Sequence, residues 1–152
     1  METHVSKLFF ENVKEKLSFL VTQFGYKGPF SNLDSNNPGY VYLAWYEKNN
    51  LTIEFHYEVR EQDVGCYIAR LIDGKRPEGW LVNEQGEQIR ISLSQWIRSV
   101  DSRAKLFTNV SGMKIEEQIS QEISDYANLL QRYGKAFLED KAEVFPSRKP
   151  FS

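Results

Sequence analysis

The sequence predicts an α+β domain, in which an antiparallel meander sheet packs against an N-terminal helix and a long C-terminal helix. Three observations predict it. Apolar residues recur at helical spacing from Val5 to Phe24, residues 39–60 read as two amphipathic strands joined by a polar turn, and helical spacing returns from Ile115 to Phe137. Hydrophobic residues make up 41% of the 152 positions and aromatic residues 14%, enough to fill the core of a single domain spanning 1–152. The stretch after about residue 146 is expected to fray.

In chain order, Val5, Leu8, Phe9, Val13, Leu17, Leu20, Val21 and Phe24 form a stripe wide enough to lie on a sheet, and Gly25 stands where a C-terminal cap belongs. Charges on the opposite side are of mixed sign, which favours a core-packed helix over a membrane-surface one. Gly28-Pro29 and the run Asp34 to Gly39 are loop chemistry. The second run has some character of a calcium loop, but Pro38 occupies a ligand position and Trp45 stands where the bidentate Glu belongs, so calcium is rejected.

The hairpin admits two registers. A three-residue loop, Lys48-Asn49-Asn50, pairs Trp45 with Ile53, Leu43 with Phe55 and Val41 with Tyr57. A two-residue Asn49-Asn50 loop pairs Leu43 with His56 and sets the tyrosines against Ile53, Phe55 and Tyr57. Asn tolerates left-handed backbone, so both turns are open. The odd loop is favoured because it alone yields a wholly apolar face. The other face then carries Tyr40, Tyr42, Tyr46, Glu54, His56 and Glu58.

Val64 to Ile72 is an apolar strand, and Asp73 to Gly79 a charged loop. Trp80 to Val82 and Gln88 to Ile91 fit a short hairpin around Asn83 to Gly86. Ser92 and Gln95 have capping-box spacing, before a short helix carrying Leu93, Trp96, Ile97 and Val100. Asp101 to Gly112 shows no readable pattern. Ile115, Ile119, Ile123, Tyr126, Leu130, Tyr133 and Phe137 then advance by four, four, three, four, three and four, predicting one helix over 114–138.

Composition excludes several functions. Net charge is −2 with Lys and Arg scattered, so no basic stripe marks a nucleic-acid partner. No run is long and apolar enough to span a membrane, and the first residues lack a secretory pattern, so a cytoplasmic location is expected. A single cysteine, Cys66, rules out an internal disulfide framework and reads as a buried, inert thiol. No metal-ligand spacing, phosphate loop or catalytic signature occurs, so neither metal nor cofactor is expected. His56 flanked by Glu54 and Glu58 has proton-transfer character, although alternation alone places polar residues there. The tyrosines on the same face have interface composition: rigid rings with polar tips.

The segment Tyr126-Ala127-Asn128-Leu129-Leu130, continuing through Phe137-Leu138-Glu139-Asp140 to Phe145, resembles the ending of a group of small uncharacterised bacterial α+β proteins. In that group a YA-x-LL helix is followed by a leucine, a short acidic turn and a phenylalanine; here Glu139 stands where glycine is expected. The resemblance covers about a quarter of the chain. It implies an immunity-like protein that neutralises a toxin by binding it, and it transfers no catalytic residue. The expected function is therefore non-enzymatic binding of another protein. The alternative is a small-molecule-binding protein or enzyme using the His56, Glu54 and Glu58 face.

Overall fold

The computed structural model describes residues 3–33, 39–77 and 86–145. The expected second hairpin around 80–86, the run 34–38 and the stretch after 145 lie wholly or partly outside them. The described chain is α+β. Helices α1 (His4–Lys16) and α2 (Ser18–Thr22) precede strands β1 (Lys27–Ser31), β2 (Val41–Lys48), β3 (Leu51–Glu58), β4 (Asp63–Arg70) and β5 (Arg90–Ser92). Helices α3 (Leu93–Val100), α4 (Ile115–Tyr133) and α5 (Lys135–Leu138) follow. The sheet is an antiparallel meander in the order β1-β2-β3-β4-β5, with α1 and α4 packed on one of its faces.

The N-terminal stripe buries as its spacing predicts, with Phe9, Val13, Leu17 and Leu20 all sealed from solvent. Thr3 caps the first turn: its hydroxyl accepts from the Ser6 N–H at 3.0 Å, and the Thr3 N–H donates to Ser6 Oγ at 2.7 Å. The predicted single helix is divided at Leu17, where the Leu20 N–H donates to the Leu17 carbonyl three residues back and tightens the turn. Lys16 ties α1 to α4, donating to Ser120 Oγ at 2.5 Å and Ser124 Oγ at 2.7 Å.

Two punctuation signals have outcomes other than those expected. Gly28-Pro29, read as loop, lies within the edge strand β1, where a missing N–H costs no ladder bond. Gly28 has φ +131°, and a Cβ there would stand 2.8 Å from the Trp45 carbonyl oxygen, so only glycine fits. At the other end of the chain the long helix stops at Tyr133 and restarts at Lys135, instead of running to Leu138. A Cβ on Gly134 would meet the Leu130 carbonyl at 2.7 Å and the Phe137 ring at 3.0 Å. The break lets Phe137 turn inward and meet Trp96 of α3 edge to face, 4.8 Å between ring centres.

The β2–β3 register is the even one, and this corrects the favoured expectation. Lys48 pairs with Leu51 across the Asn49-Asn50 turn, with Asn49 at φ 53°. Tyr46 therefore faces Ile53, Ala44 faces Phe55, Tyr42 faces Tyr57, and Leu43 faces His56. Tyr42 and Tyr46 are core. Tyr42 stacks on Tyr57 at 5.9 Å and its hydroxyl shares a 3.2 Å hydrogen bond with Thr3 Oγ1; the Tyr46 hydroxyl donates to the Val13 carbonyl at 3.4 Å. A tyrosine whose hydroxyl finds a partner buries as readily as a leucine, so a wholly apolar face is not what selects the register. β4 continues the inner face with Val64, Cys66 and Ile68 opposite Tyr57, Phe55 and Ile53.

α4 lies over this face with Ile119, Ile123, Tyr126 and Leu130 buried, and the Tyr126 hydroxyl donates to the Val64 carbonyl at 3.0 Å. The segment with no readable pattern is pinned by side chains of α4. Asp125 accepts from the Thr108 N–H at 2.9 Å and its hydroxyl at 3.1 Å, and the Tyr133 hydroxyl donates to Asp101 Oδ2 at 2.9 Å.

Cys66 is buried in β4, and burial, then the nearby Glu54 charge, pushes its thiol well above the ordinary cysteine range. A thiol reagent should label it slowly in the native protein and rapidly in denaturant. Rapid labelling without denaturant would contradict this packing.

Candidate functional site on the outer face of the sheet

The face of the sheet away from α1 and α4 is built by strand alternation. Across it run two register rows: Trp45, Glu54, Tyr67 and Ser92, and beside it Glu47, Thr52, Ala69 and Arg90. At the centre Glu54 is 0% exposed. A buried carboxylate needs compensation. Arg90 supplies most of it, donating from Nε to Oε1 at 2.7 Å and from Nη2 to Oε2 at 3.1 Å. Arg76, from the segment after β4, donates from Nε to Oε2 at 2.6 Å, and His56 Nε2 stands 3.5 Å from Oε1. Arg90 is itself held, its Nη2 donating to the Pro77 carbonyl at 3.2 Å.

Above this network lies an aromatic layer. The Arg76 guanidinium sits 4.6 Å from the Trp45 ring centre, the Trp45 Nε1–H donates to Glu47 Oε1 at 2.9 Å, and Phe30 of β1 packs against Trp45 at 5.8 Å. The Phe30 side remains open, with Phe30 40% exposed. The Tyr67 ring covers the other flank, 4.8 Å from His56 and so close over Gly65 that a Cβ there would meet it at 3.0 Å.

The six residues read from the sequence as one surface are distributed over four places. Tyr42 and Tyr46 point into the core; Glu54 and His56 are buried on the opposite side of the sheet. Tyr40 lies before β2, 63% exposed, with the Arg60 guanidinium 4.2 Å from its ring centre. Glu58 is exposed at the end of β3, across from Val41 and Asp63. The correction follows from the even loop, which turns the tyrosines of β2 away from the polar residues of β3. Sequence reading missed Trp45, Phe30, Arg76 and Arg90. The available signal was a glutamate in the middle of a central strand, which demands cations from elsewhere in the chain.

No protein-family profile, curated protein or solved structure matches this chain. Geometry alone describes the site.

Burial by itself would raise the Glu54 pKa; the nearby His56 imidazole, the Arg90 hydrogen bonds and the charges of Arg76 and Arg90 overcome it and bring the group to about 2. A carboxylate so stabilised is a feeble base near neutral pH, and its role is to hold the guanidinium groups. The stability consequence has a definite sign. Glu54 is more acidic folded than its ordinary value of 4.5, so its contribution is complete above pH 4.5 and is lost as pH falls towards 2. The loss should be on the order of 3 kcal/mol. Asp63 and Glu122, raised chiefly by burial and then by neighbouring carboxylates, act with the opposite sign. Denaturant midpoints across this range should therefore be compared between the native chain and Glu54→Gln, whose acid loss should be smaller. Identical acid profiles would contradict the ion-pair assignment.

Among the described residues, no helix is long and apolar enough to cross a membrane, and no group of three or more His, Cys, Asp or Glu side chains is placed to hold a metal ion.

Proposed function

We propose that this chain is a non-enzymatic protein-binding domain whose contact surface is the outer sheet face around Phe30 and Trp45. One observation carries the reading: an aromatic pair and a stacked guanidinium are fixed by buried ion pairs on a face that remains partly open. Trp and Arg are the residues most often found as energetic anchors of protein interfaces, and anchors held rigid before binding lose little entropy on association. The low basicity of Glu54 argues against the alternative, catalysis at the Glu54–His56 pair.

A toxin-neutralising, immunity-like role is the specific form of this proposal. Its support is the similarity of residues 126–145 to the bacterial group described above. That segment contributes Tyr126, Leu129, Leu130, Phe137 and Phe145 to the core, so the similarity speaks for shared packing and leaves the partner to the outer face.

Affinity capture from the cells that express the protein tests the proposal, with the native chain and Phe30→Asp as baits. The native bait should retain a stoichiometric protein partner that Phe30→Asp, folded to the same thermal midpoint, fails to retain. Equal capture by both baits would place the contact elsewhere.

A further inference from the structure

Arg76 carries more hydrogen-bonding capacity than the described residues use. Arg90 already matches Glu54 with two hydrogen bonds, in the fork geometry that satisfies a carboxylate. Arg76 adds only its Nε, and its two Nη nitrogens make no hydrogen bond to any described residue. Glu54 thus takes one hydrogen bond from Arg76, and the Nη edge of that guanidinium faces no acceptor among the described residues. Glu47, the neighbouring carboxylate on this face, accepts from the Trp45 indole and forms no ion pair with Arg76. The Arg76 side chain is 22% exposed, so it reaches the surface while Glu54 and the Trp45 ring fix its plane.

Confining a guanidinium whose Nη donors are unused costs desolvation and side-chain entropy that its single hydrogen bond to Glu54 does not recover. A carboxylate arriving from outside would recover it, because paired Nη groups grip a carboxylate in a fixed plane. The apolar ground beside it, Trp45 and the open Phe30, would take an adjoining hydrophobic side chain.

We infer that the outer face recognises an acidic protein segment, with Arg76 gripping an Asp or Glu carboxylate and the Phe30–Trp45 pair receiving an apolar neighbour of that acid. This inference rests on the protein-binding reading above and adds the chemistry of the partner.

The test is selection of a random-peptide display library against the full native chain, followed by titration of the best synthetic peptide. Selected peptides should be enriched in Asp or Glu next to an apolar residue, and the bound peptide should shift backbone amides of β2 at 41–45. Arg76→Gln should weaken binding about tenfold or more, Arg76→Lys should restore part of it, and added salt should weaken the native complex. Near-ultraviolet circular dichroism establishes that both variants retain the fold; if Arg76→Gln does not, Arg76→Lys carries the comparison, because it keeps the charge and loses the fork. Peptides that shift β2 without acidic enrichment, or that bind Arg76→Gln as tightly as the native chain, would overturn the inference and leave the protein-binding reading standing. Peptides that shift only other surfaces, or a selection with no enrichment, would overturn both.

Discussion

Replacing Glu54 with Ala should destabilise the protein by about 3–5 kcal/mol, because two guanidinium groups lose the carboxylate that compensates them. Arg90 is 3% exposed and cannot turn to water without leaving the sheet. The measurement is a denaturant midpoint with an unchanged slope. The cost comes from breaking the pair, not from any great net strength of it. A variant that removes both charges with apolar replacements, Glu54→Leu with Arg90→Met, should therefore be considerably more stable than Glu54→Ala alone. If Glu54→Ala unfolds at the native midpoint, the carboxylate is not the keystone of the outer face.

Tyr46→Ala should cost about 3–5 kcal/mol, as a large aromatic side chain removed from a filled core does. Tyr46 is fully buried, packs edge to face on Phe55 at 6.5 Å and bonds its hydroxyl to α1. Had the three-residue loop formed, the same ring would stand on the polar face and its removal would cost about 1 kcal/mol or less. The experiment therefore reads the hairpin register directly. Leu43→Ala is the paired control: Leu43 lies on the outer face, partly exposed, and should cost less than Tyr46→Ala. A reversal of that order would restore the odd register.

The two experiments bear on function through the same turn. Asn49-Asn50 decides which side of β2 meets the helices. It sends Tyr42 and Tyr46 inward and leaves Trp45 on the face where Glu54, Arg76 and Arg90 converge. A polar network in the middle of an outer sheet face can fix an aromatic platform because Trp45 and Arg90 stand on strands and Arg76 is held by Glu54.

The sequence by itself determined the fold class, the order of elements and much of the core. Phe9, Val13, Leu17 and Leu20 in the first helices and Ile119, Ile123, Tyr126 and Leu130 in α4 are buried where their spacing puts them. Ser92 caps α3 by accepting the Gln95 N–H at 3.1 Å, as its local pattern indicates. These features depend on neighbours three or four residues apart, so periodicity and capping chemistry suffice to read them. Tertiary structure decided what depends on parity and distance. One residue more or less in a turn inverts a strand's faces, and alternation alone could not weigh tyrosine hydroxyls that find partners on α1. The break at Gly134 turns Phe137 onto Trp96 of α3, a contact that local helix signals do not contain. Arg76 and Arg90 are separated in sequence by 22 and 36 residues from Glu54, the carboxylate they share, and only the closed sheet brings them together.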